Sequence, residues 1–286
     1  MHPPDSAHIL NHLQALVGER NPFSAPGPLE QAGAYILQHF QNLGLSVSRE
    51  EVPFEGTASH NIFGLKEGTD PSLGTFILGA HYDAVEGTPG ADDNASAVAA
   101  LLEVARCLTE EAVAGSIVFA AFALEEYGFV GSRQMAVRLK QSGEHISGMI
   151  ALEMLGYRTT EPGSQTFPPY VDASQYPDIG DFIAVIGNQP SQALTLGVAE
   201  VLKQTTPDLG VEHLVLPGRG DSFVEIRLSD HCVFWEQDFK AAMLTDTAFF
   251  RNPNYHQPTD TLDTLDIDFI RDISAGLAAY LKNPVI

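Results

Sequence analysis

The stretch FILGAHYDAVEGTPGADDN, residues 76–94, decides how the rest of the chain is interpreted. Its first residues form a short apolar run typical of a buried central strand. His81 and Asp83 follow at alternating positions of an extended segment, so both side chains can point the same way from the strand end. Because a carboxylate often fixes the orientation of a histidine that binds metal, the pair predicts a metal ligand, His81, with Asp83 as its orienting partner.

A second candidate ligand, Asp93, follows Asp83 by ten residues and a turn rich in Gly and Pro. It stands where the next helix is predicted to begin, and an acidic side chain at a helix N-terminus is favourable without any metal. Helix capping and metal binding are compatible for Asp93, whereas Asp92 is expected only to cap the helix.

Apolar runs alternate with helical patterns through the middle of the chain. Strands are predicted at Thr75–Ala80, Ser116–Leu124 and Ile146–Leu155, with helices at Asn94–Leu108 and Ser132–Lys140 between them. This order predicts an α/β fold of the doubly wound kind, with a mostly parallel central sheet and helices on both faces. Sites in such folds form at the carboxyl ends of the strands, and the acidic residues named here follow those ends.

The remaining predicted elements lie on both sides of this core. Helices are predicted at Ser6–Val17, Leu29–Leu43, Pro190–Lys203 and Ile267–Lys282, and strands at Leu45–Phe54, Asn61–Lys66, Phe182–Ile186, Glu212–Leu216 and Ala241–Phe249. The polar segment 157–181 is expected to be a long loop near the site. At 286 residues we expect one domain over 1–286, in which 1–55 add helices and a strand to a core at 60–282.

Composition excludes several classes of partner. The formal net charge is −22, from 37 acidic and 15 basic residues, which argues against nucleic acid or an anionic membrane surface. No apolar run approaches the length of a bilayer span, and the N-terminus shows no export signal. The two cysteines exclude a disulfide framework. We therefore expect a cytoplasmic protein, or a secreted one if a signal peptide was removed before this sequence. A monomer is favoured.

Further candidate ligands come from two more strand ends and a loop. Glu125 and Glu126 follow one predicted strand, Glu153 lies near the end of another, and His256 stands in NPNYHQPTDT. Imidazoles and carboxylates suit zinc, and a carboxylate shared between two ions would build a two-metal site, for which Asp93 is the natural bridge. One of the adjacent glutamates can bind metal while the other acts as general base.

Simpler interpretations exist for these residues. The adjacent glutamates could be a solvated charge pair, and His256 and Tyr255 could pack within their loop against Pro258. An acid at the position of Glu153, inside an apolar strand, is costly unless paired, which favours a ligand there.

Five motifs in a fixed order resemble the co-catalytic di-zinc aminopeptidases of metallopeptidase family twenty-eight, over about residues 60–282. The motifs are His81 and Asp83 in GAHYDAV, Asp93 in PGADDNASAVAALLEVA, Glu125 and Glu126 in FALEEYGFVGS, Glu153 in LEMLGY, and His256 in NPNYHQPTDT. The resemblance implies a zinc-exopeptidase (phosphorylase/hydrolase-like) architecture.

The resemblance also implies a role for each motif residue. One zinc ion would be held by His81 and Glu153, the other by Glu126 and His256, and Asp93 would bridge the two. The implied catalytic roles are general base for Glu125, orientation of His81 for Asp83, and stabilisation of the tetrahedral oxyanion for Tyr255.

One residue departs from the family pattern. The family commonly has aspartate where this chain has Glu153, so the carboxylate stands one methylene further from the backbone. Met154 and Gly156 preserve the rest of the motif, which keeps Glu153 as an expected ligand. The dipeptide Asp230-His231 resembles another family segment that lies near the site without binding zinc.

These features predict a zinc-dependent exopeptidase that hydrolyses N-terminal residues from peptides with a free N-terminus and holds two Zn²⁺ ions. The alternatives are a glutaminyl cyclase, which resembles the same fold but uses one zinc, and a dipeptidase or carboxypeptidase. A non-catalytic relative is disfavoured because no ligand is missing. The pocket for the substrate side chain is expected between the segments 157–181 and 213–235.

Overall fold

The computed structural model describes residues 2–285, which include one sheet of eight strands. The strands are β1 (Ser46–Phe54), β2 (Thr57–Lys66), β3 (Thr75–His81), β4 (Ser116–Phe122), β5 (Ile146–Glu153), β6 (Phe182–Asn188), β7 (Gly210–Leu216) and β8 (Ala241–Thr245). Their order across the sheet is β1-β2-β4-β3-β5-β8-β6-β7.

The four central strands run parallel to one another. β3 pairs in parallel with β4 on one side and β5 on the other, and β5 pairs in parallel with β8. Strands β2 and β6 run antiparallel to this set, β1 is antiparallel to β2, and β7 is parallel to β6. The carboxyl ends of the central strands therefore share one edge of the sheet, and the predicted mostly parallel α/β fold is confirmed.

Helices cover both faces of the sheet, as predicted. They are α1 (Ser6–Leu16), α2 (Pro26–Asn42), α3 (Ala97–Leu108), α4 (Val130–Ser142), α5 (Gln192–Thr205), α6 (His231–Glu236) and α7 (Ile267–Lys282). Helices α1, α2, α3, α5 and α7 bury their apolar sides in one core, and α4 and α6 in a second core on the opposite face.

The sequence of β3 explains why it lies at the centre. Phe76 and Leu78 pack into the first core and Ile77 into the second, as the alternation of a strand requires. At Gly79 an added Cβ would lie 2.4 Å from the ring of Phe122. Glycine therefore lets the neighbouring strand pack this aromatic ring against the backbone of β3.

The two largest differences from the predicted boundaries are at the end of β8 and at the start of β2. The strand predicted at Ala241–Phe249 ends at Thr245, because the Asp246 carboxylate accepts hydrogen bonds from the N–H groups of Tyr157 and Ala248 and turns the chain. Strand β2 begins at Thr57 rather than Asn61, since a tight turn joins it directly to β1.

Helix α6 was not predicted. Its sequence, HCVFWE, has only six residues, of which the middle four are apolar, so it is too short to show a helical periodicity. The segment expected to be a long loop, 157–181, has one short helical turn, at Ala173–Gln175.

Within residues 2–285, no helix combines the length and the apolar character needed to cross a membrane. Both cysteines, Cys107 and Cys232, are buried free thiols. The single-domain organisation stays a prediction.

Candidate metal centre

Two neighbouring strand ends begin the site. His81 is the last residue of β3 and Glu153 the last residue of β5. The parallel register pairs Gly79 with Ala151, which brings the two strand ends side by side. Nε2 of His81 lies 3.6 Å from Oε2 of Glu153, and both side chains are buried. The predicted convergence of polar residues at this edge of the sheet is therefore observed.

Asp93 lies between the two histidines of the site. Its Oδ1 is 3.3 Å from Nε2 of His81, and its Oδ2 is 3.1 Å from Nε2 of His256. Each carboxylate oxygen thus faces a different imidazole, which is the arrangement a bridging carboxylate needs.

The donor atoms form two sets of three that share Asp93, and within each set all atoms lie within 4.8 Å of one another. The first set is His81, Asp93 and Glu153, and the second is Asp93, Glu126 and His256. A third grouping of the same compactness joins His81 to Glu125 and Glu126. The structure brings together all the predicted ligands.

Several donor atoms in the site are buried and make no hydrogen bond within the described residues. They are Nδ1 and Nε2 of His81, Oδ1 of Asp93 and Oε1 of Glu126. Unpaired buried polar atoms are costly and rare in folded proteins. Imidazole nitrogens and carboxylate oxygens at this spacing are a suitable donor set for divalent metal ions, so the residues present fit the predicted metal centre.

Asp83 makes contacts on two sides. Its Oδ1 lies 3.6 Å from Nδ1 of His81, where the predicted orienting partner should stand. Its two carboxylate oxygens also accept hydrogen bonds from the backbone N–H groups of Glu125 and Glu126, at 3.1 and 3.2 Å. Asp83 therefore fixes the backbone of the glutamate pair, a contact the sequence did not predict.

The two adjacent glutamates point towards different histidines. Oε2 of Glu125 is 3.9 Å from Nε2 of His81, whereas Oε2 of Glu126 is 3.4 Å from Nε2 of His256. This divergence lets the two carboxylates take different roles.

Burial and the crowding of like charges raise the pKa values of both adjacent glutamates. Burial raises the pKa of Glu125 well above its usual range. Burial, with the nearby charge of Asp93, raises the pKa of Glu126 to about 7. Burial opposes protonation of His256, but its hydrogen bonds to Asp93 and Glu126 outweigh that effect and raise its pKa to about 10. The cluster therefore attracts cations strongly.

Glu153 is held by a contact that the sequence did not predict. The hydroxyl of Ser229 donates a hydrogen bond of 2.7 Å to Oε2 of Glu153, and both residues are buried. Ser229 comes from the segment just before α6, next to Asp230. The dipeptide Asp230-His231, expected near the site, therefore directly follows a residue that contacts Glu153. The ring of His231 forms a hydrogen bond with the carbonyl of Ile226.

Tyr255 stacks on His256. Their ring centroids are 3.7 Å apart with an angle of 20° between the planes, and the ring centroid of Phe249 lies 5.4 Å from that of Tyr255. Tyr255 also lines a cavity together with Glu153. The predicted catalytic tyrosine thus stands at the border between the metal centre and that cavity.

Strained backbone accompanies the site residues. Leu124, Met154 and His256 have φ values of 61°, 50° and 56°, in the left-handed region that non-glycine residues rarely adopt. Each is a site residue or directly precedes or follows one. Such strain persists where the surrounding structure enforces it, and it clusters at functional sites.

The turn that carries Asp93 is held by hydrogen bonds to a second aspartate, Asp260. Asp260 accepts hydrogen bonds from the N–H groups of Asp92 and Asp93, at 2.8 and 3.1 Å. Asp92 does not cap a helix as expected, because α3 begins only at Ala97. Its carboxylate accepts instead from the N–H of Gly156.

The N-terminal segment also reaches the site. The buried guanidinium of Arg20 donates to five backbone carbonyls, two in its own segment and three in 82–90. The acceptors are Leu16, Gly18, Tyr82, Pro89 and Gly90. Burial lowers the pKa of Arg20 to about 10, so it remains charged at neutral pH. Residues 1–55, expected to add only helices and a strand, therefore also position the turn that precedes Asp93.

Neither Arg20 nor Asp260 stands in a sequence pattern that predicts its supporting role. Arg20 is one of only 15 basic residues and follows the first helix in GERNPF, and Asp260 follows His256 in the same polar loop. Their contacts join segments 62–168 residues apart, which no local pattern reveals.

Known proteins resemble this chain along most of its length. The family model described as Peptidase family M28 matches residues 61–281. The uncharacterized protein YfbL of Escherichia coli (strain K12) is 39% identical over 267 residues, covering 89% of this chain and 80% of that protein.

Solved structures share the fold. The zinc aminopeptidase BSAP from Bacillus subtilis has a TM-score of 0.75 at 16% identity, covering 98% of this chain and 96% of that one. The Bacteroides thetaiotaomicron glutaminyl cyclase, bound to N-acetylhistamine, has a TM-score of 0.71 at 17% identity, covering 99% of both chains. The same fold thus occurs in proteins with two different named activities.

Proposed function

The chain belongs to peptidase family M28, and from that premise we propose that it is a zinc-dependent aminopeptidase with two zinc ions. Its substrates are peptides with a free N-terminus, and it removes their first residue. The shared fold of the zinc aminopeptidase BSAP from Bacillus subtilis supports zinc and aminopeptidase activity.

The observation that carries the proposal is the pair of donor sets that share Asp93. In the proposed site, His81 and Glu153 would hold one zinc and Glu126 and His256 would hold the other. Each set, counted with Asp93, contains one imidazole and two carboxylates, a ligand combination that zinc accepts. The unpaired buried atoms of His81, Asp93 and Glu126 lie in these sets.

When bound, zinc polarises a carbonyl oxygen and lowers the pKa of water towards roughly 7. Glu125 is proposed to be the general base. Its carboxylate takes a proton from the attacking water as the water oxygen bonds to the scissile carbonyl carbon. It then delivers that proton to the amine that leaves when the carbon–nitrogen bond breaks. Burial, which raises the pKa of Glu125, suits a group that must hold the proton between these steps.

Two further residues complete the proposed site. The Tyr255 hydroxyl donates to the oxygen of the tetrahedral intermediate, a role supported by its stacking beside His256. The positively charged α-amine of the substrate is held by acidic groups beside the metal centre other than the general base; Oε2 of Glu153, 3.6 Å from Nε2 of His81, is one such group.

The test is Glu125→Gln, assayed with aminoacyl-p-nitroanilides and with the same compounds N-acetylated. The amide preserves shape but cannot accept the proton, so we expect kcat to fall by about 10²–10⁴-fold while zinc content stays at the wild-type value. Glu126→Gln is the matched comparison, and it should lose zinc as well as activity. Normal turnover by Glu125→Gln, or cleavage of the acetylated compounds, would contradict the proposal.

The same panel separates the alternatives. A glutaminyl cyclase would convert glutaminyl peptides to pyroglutamyl peptides and would contain one zinc per chain. A carboxypeptidase would release the last residue of acetylated peptides, and a dipeptidase would cleave dipeptides but not longer chains.

A further inference from the structure

Three aromatic side chains form a partly exposed cluster close to Glu126. They are Phe23, Phe54 and Tyr127, and their ring centroids lie 5.3–6.3 Å apart. Phe23 is 47% exposed, and the other two are half-buried. We call this cluster the aromatic wall. Two of its three residues lie outside the residues that match the family model, 61–281.

The sheet places the aromatic wall at the same edge as the metal centre. Tyr127 directly follows Glu126, in the segment after β4, and Phe54 ends β1 at the hairpin that leads into β2. Strand β2 runs antiparallel to β4, and its residues 57–61 continue beyond the stretch that pairs with β4. The hairpin therefore extends past the carboxyl end of β4. The aromatic wall lies on the β2 side of the metal centre, whereas Glu153 lies on the β5 side.

A fully buried asparagine, Asn21, holds the loop that carries Phe23. Its side-chain N–H groups donate to the hydroxyl of Tyr127 at 2.8 Å and to the carbonyl of Ala84 at 3.2 Å. Its side-chain oxygen accepts from the backbone N–H groups of Phe23 and Ser24, at 3.0 and 3.3 Å. One side chain thus joins the loop, Tyr127 and the segment after β3. The aromatic wall is ordered before a ligand arrives, which lowers the entropy cost of binding.

Packing of the protein interior does not explain the position of Phe23. The rings of Phe54 and Tyr127 pack against the first core, whereas Phe23 belongs to neither core. Apolar groups clustered at the surface are typical of interaction sites. The exposed face of the Phe23 ring is therefore available to an aromatic or aliphatic side chain from outside.

Acidic residues border the aromatic wall. The carboxylate of Glu19 accepts hydrogen bonds from the hydroxyl of Ser24, the neighbour of Phe23, and from the N–H of Gly87 at 3.1 Å. Glu86, next to Gly87, is exposed. These carboxylates would repel an acidic side chain that approaches the wall.

The proposed function determines which part of a peptide meets the aromatic wall. It places the α-amine beside Glu153, and it requires Glu125 to deliver a proton to the leaving nitrogen. That nitrogen belongs to the second residue of the substrate, so the second residue lies close to Glu125. Because Tyr127 follows Glu125 by two residues and faces the β2 side, the second residue meets the wall as the peptide leaves the centre.

We propose that the aromatic wall binds the side chain of the second residue of the substrate, the residue that follows the cleaved bond, and that this residue is aromatic or large and aliphatic rather than acidic. The inference rests on the proposed aminopeptidase function, which sets the direction of the peptide.

The test compares kcat/KM for peptides that share leucine as first residue and differ in the second. They are leucyl-phenylalaninamide, leucyl-leucinamide, leucyl-glycinamide and the α-amide of leucyl-glutamate. Covering the exposed part of an aromatic ring should favour the phenylalanyl over the glycyl compound by about 10-fold. The glutamyl compound should be the poorest. Equal kcat/KM values, or a preference for the glutamyl compound, would overturn the inference.

Two variants connect the preference to Phe23. Phe23→Ala removes the exposed ring and should reduce the phenylalanyl-to-glycyl ratio by about 5-fold or more. Phe23→Tyr keeps the ring and should keep the ratio. The matched control is Leu73→Ala, because Leu73 is also 47% exposed but precedes β3 and so lies at the opposite edge of the sheet.

Each ratio is measured within one enzyme preparation, so a fraction of misfolded variant affects both substrates equally. A ratio that Phe23→Ala leaves unchanged would refute the role of the wall. An equal fall of the ratio in Leu73→Ala or in Phe23→Tyr would also refute it.

Binding measured without cleavage separates this inference from the proposed function. The probe is phenylalaninamide, with glycinamide for comparison, in saturation-transfer NMR on the zinc-loaded chain. Transfer to the phenylalaninamide ring that Phe23→Ala abolishes, without cleavage of any peptide, would support binding at the wall and reject the aminopeptidase function. Cleavage without a preference at the second residue, and without such transfer, would overturn the inference and leave the function standing.

Discussion

At the residue scale, Glu153 stands where the resemblance described above implies an aspartate. Its carboxylate stands one methylene further from β5 than an aspartate would. The hydroxyl of Ser229 donates to it at 2.7 Å, and Nε2 of His81 lies 3.6 Å away. Ser229 therefore fixes the position of the longer side chain through Oε2, the carboxylate oxygen that lies 3.6 Å from His81.

Ser229→Ala should reduce zinc affinity at the site that contains Glu153. Removing a hydrogen-bond partner of a metal ligand typically costs about 10–100-fold in metal affinity. Zinc titration of the metal-free variant should show one weakened site and one site of unchanged affinity.

A buried serine elsewhere supplies the control for this change. The hydroxyl of Ser274 donates only to the carbonyl of Ile270 within α7. Ser274→Ala should leave both zinc affinities unchanged. Equal zinc affinities in Ser229→Ala and the wild-type chain would refute the positioning role.

The motif residues of the site were predictable because each follows an apolar strand or stands in a distinctive polar loop. Contacts such as Ser229 with Glu153 were not, because the partners are 76 residues apart and serine is common in loops. The catalytic and metal-binding roles themselves stay predictions, which the proposed variants test.

At the element scale, hydrogen bonds join the segment between α1 and α2 to the residues that follow β3. This segment lies outside the residues that match the family model, 61–281. Arg20 holds the carbonyls of Tyr82, Pro89 and Gly90, and the N–H of Ala84 donates to the carbonyl of Arg20. The turn before Asp93 is thus fixed by a part of the chain far from the metal ligands in sequence.

Arg20→Lys keeps the charge but removes the forked donors, so several buried carbonyls lose their partners. We expect the free energy of unfolding to fall by about 3 kcal/mol. Amide hydrogen exchange should quicken most in residues 82–93, measured by mass spectrometry on the zinc-loaded chain.

Arg138→Lys is the matched control, because Arg138 forms an ion pair with Glu50 at 2.9 Å on the surface. Surface pairs contribute about 0–1 kcal/mol, so both exchange and stability should stay close to wild type. Unchanged exchange in residues 82–93 of Arg20→Lys would contradict the account of this segment.

Helices and strands were predictable from sequence where a run of apolar residues, or their periodic spacing, was long. The apolar strands β3, β4 and β5 and the helix α3 between them carry strong local signals. The end of β8 was not predictable, because it depends on a long-range hydrogen bond to Asp246. Helix α6 was not predictable, because six residues are too few to show a helical period.

At the scale of the whole molecule, the sheet explains why distant motifs form one site. Four central parallel strands place their carboxyl ends on one edge, and three of the ligand-bearing segments follow those ends. The antiparallel directions of β2 and β6 were not predictable, since strand direction leaves no mark in the local sequence. They do not disturb the site, because they lie outside the strands that supply ligands.

The net charge of −22 acts on the same scale. It favours attraction of cations, including zinc and the positively charged N-terminus of a peptide. The monomeric state and the cytoplasmic location remain predictions.

The central claim is that two zinc ions lie on either side of Asp93, and anomalous diffraction from crystals of the zinc-loaded chain tests it most directly. We expect two zinc peaks, each within about 2.0–2.2 Å of its donors: one at His81 and Glu153, the other at Glu126 and His256, with Asp93 bound to both. A single peak, or two peaks that Asp93 does not bridge, would contradict the account.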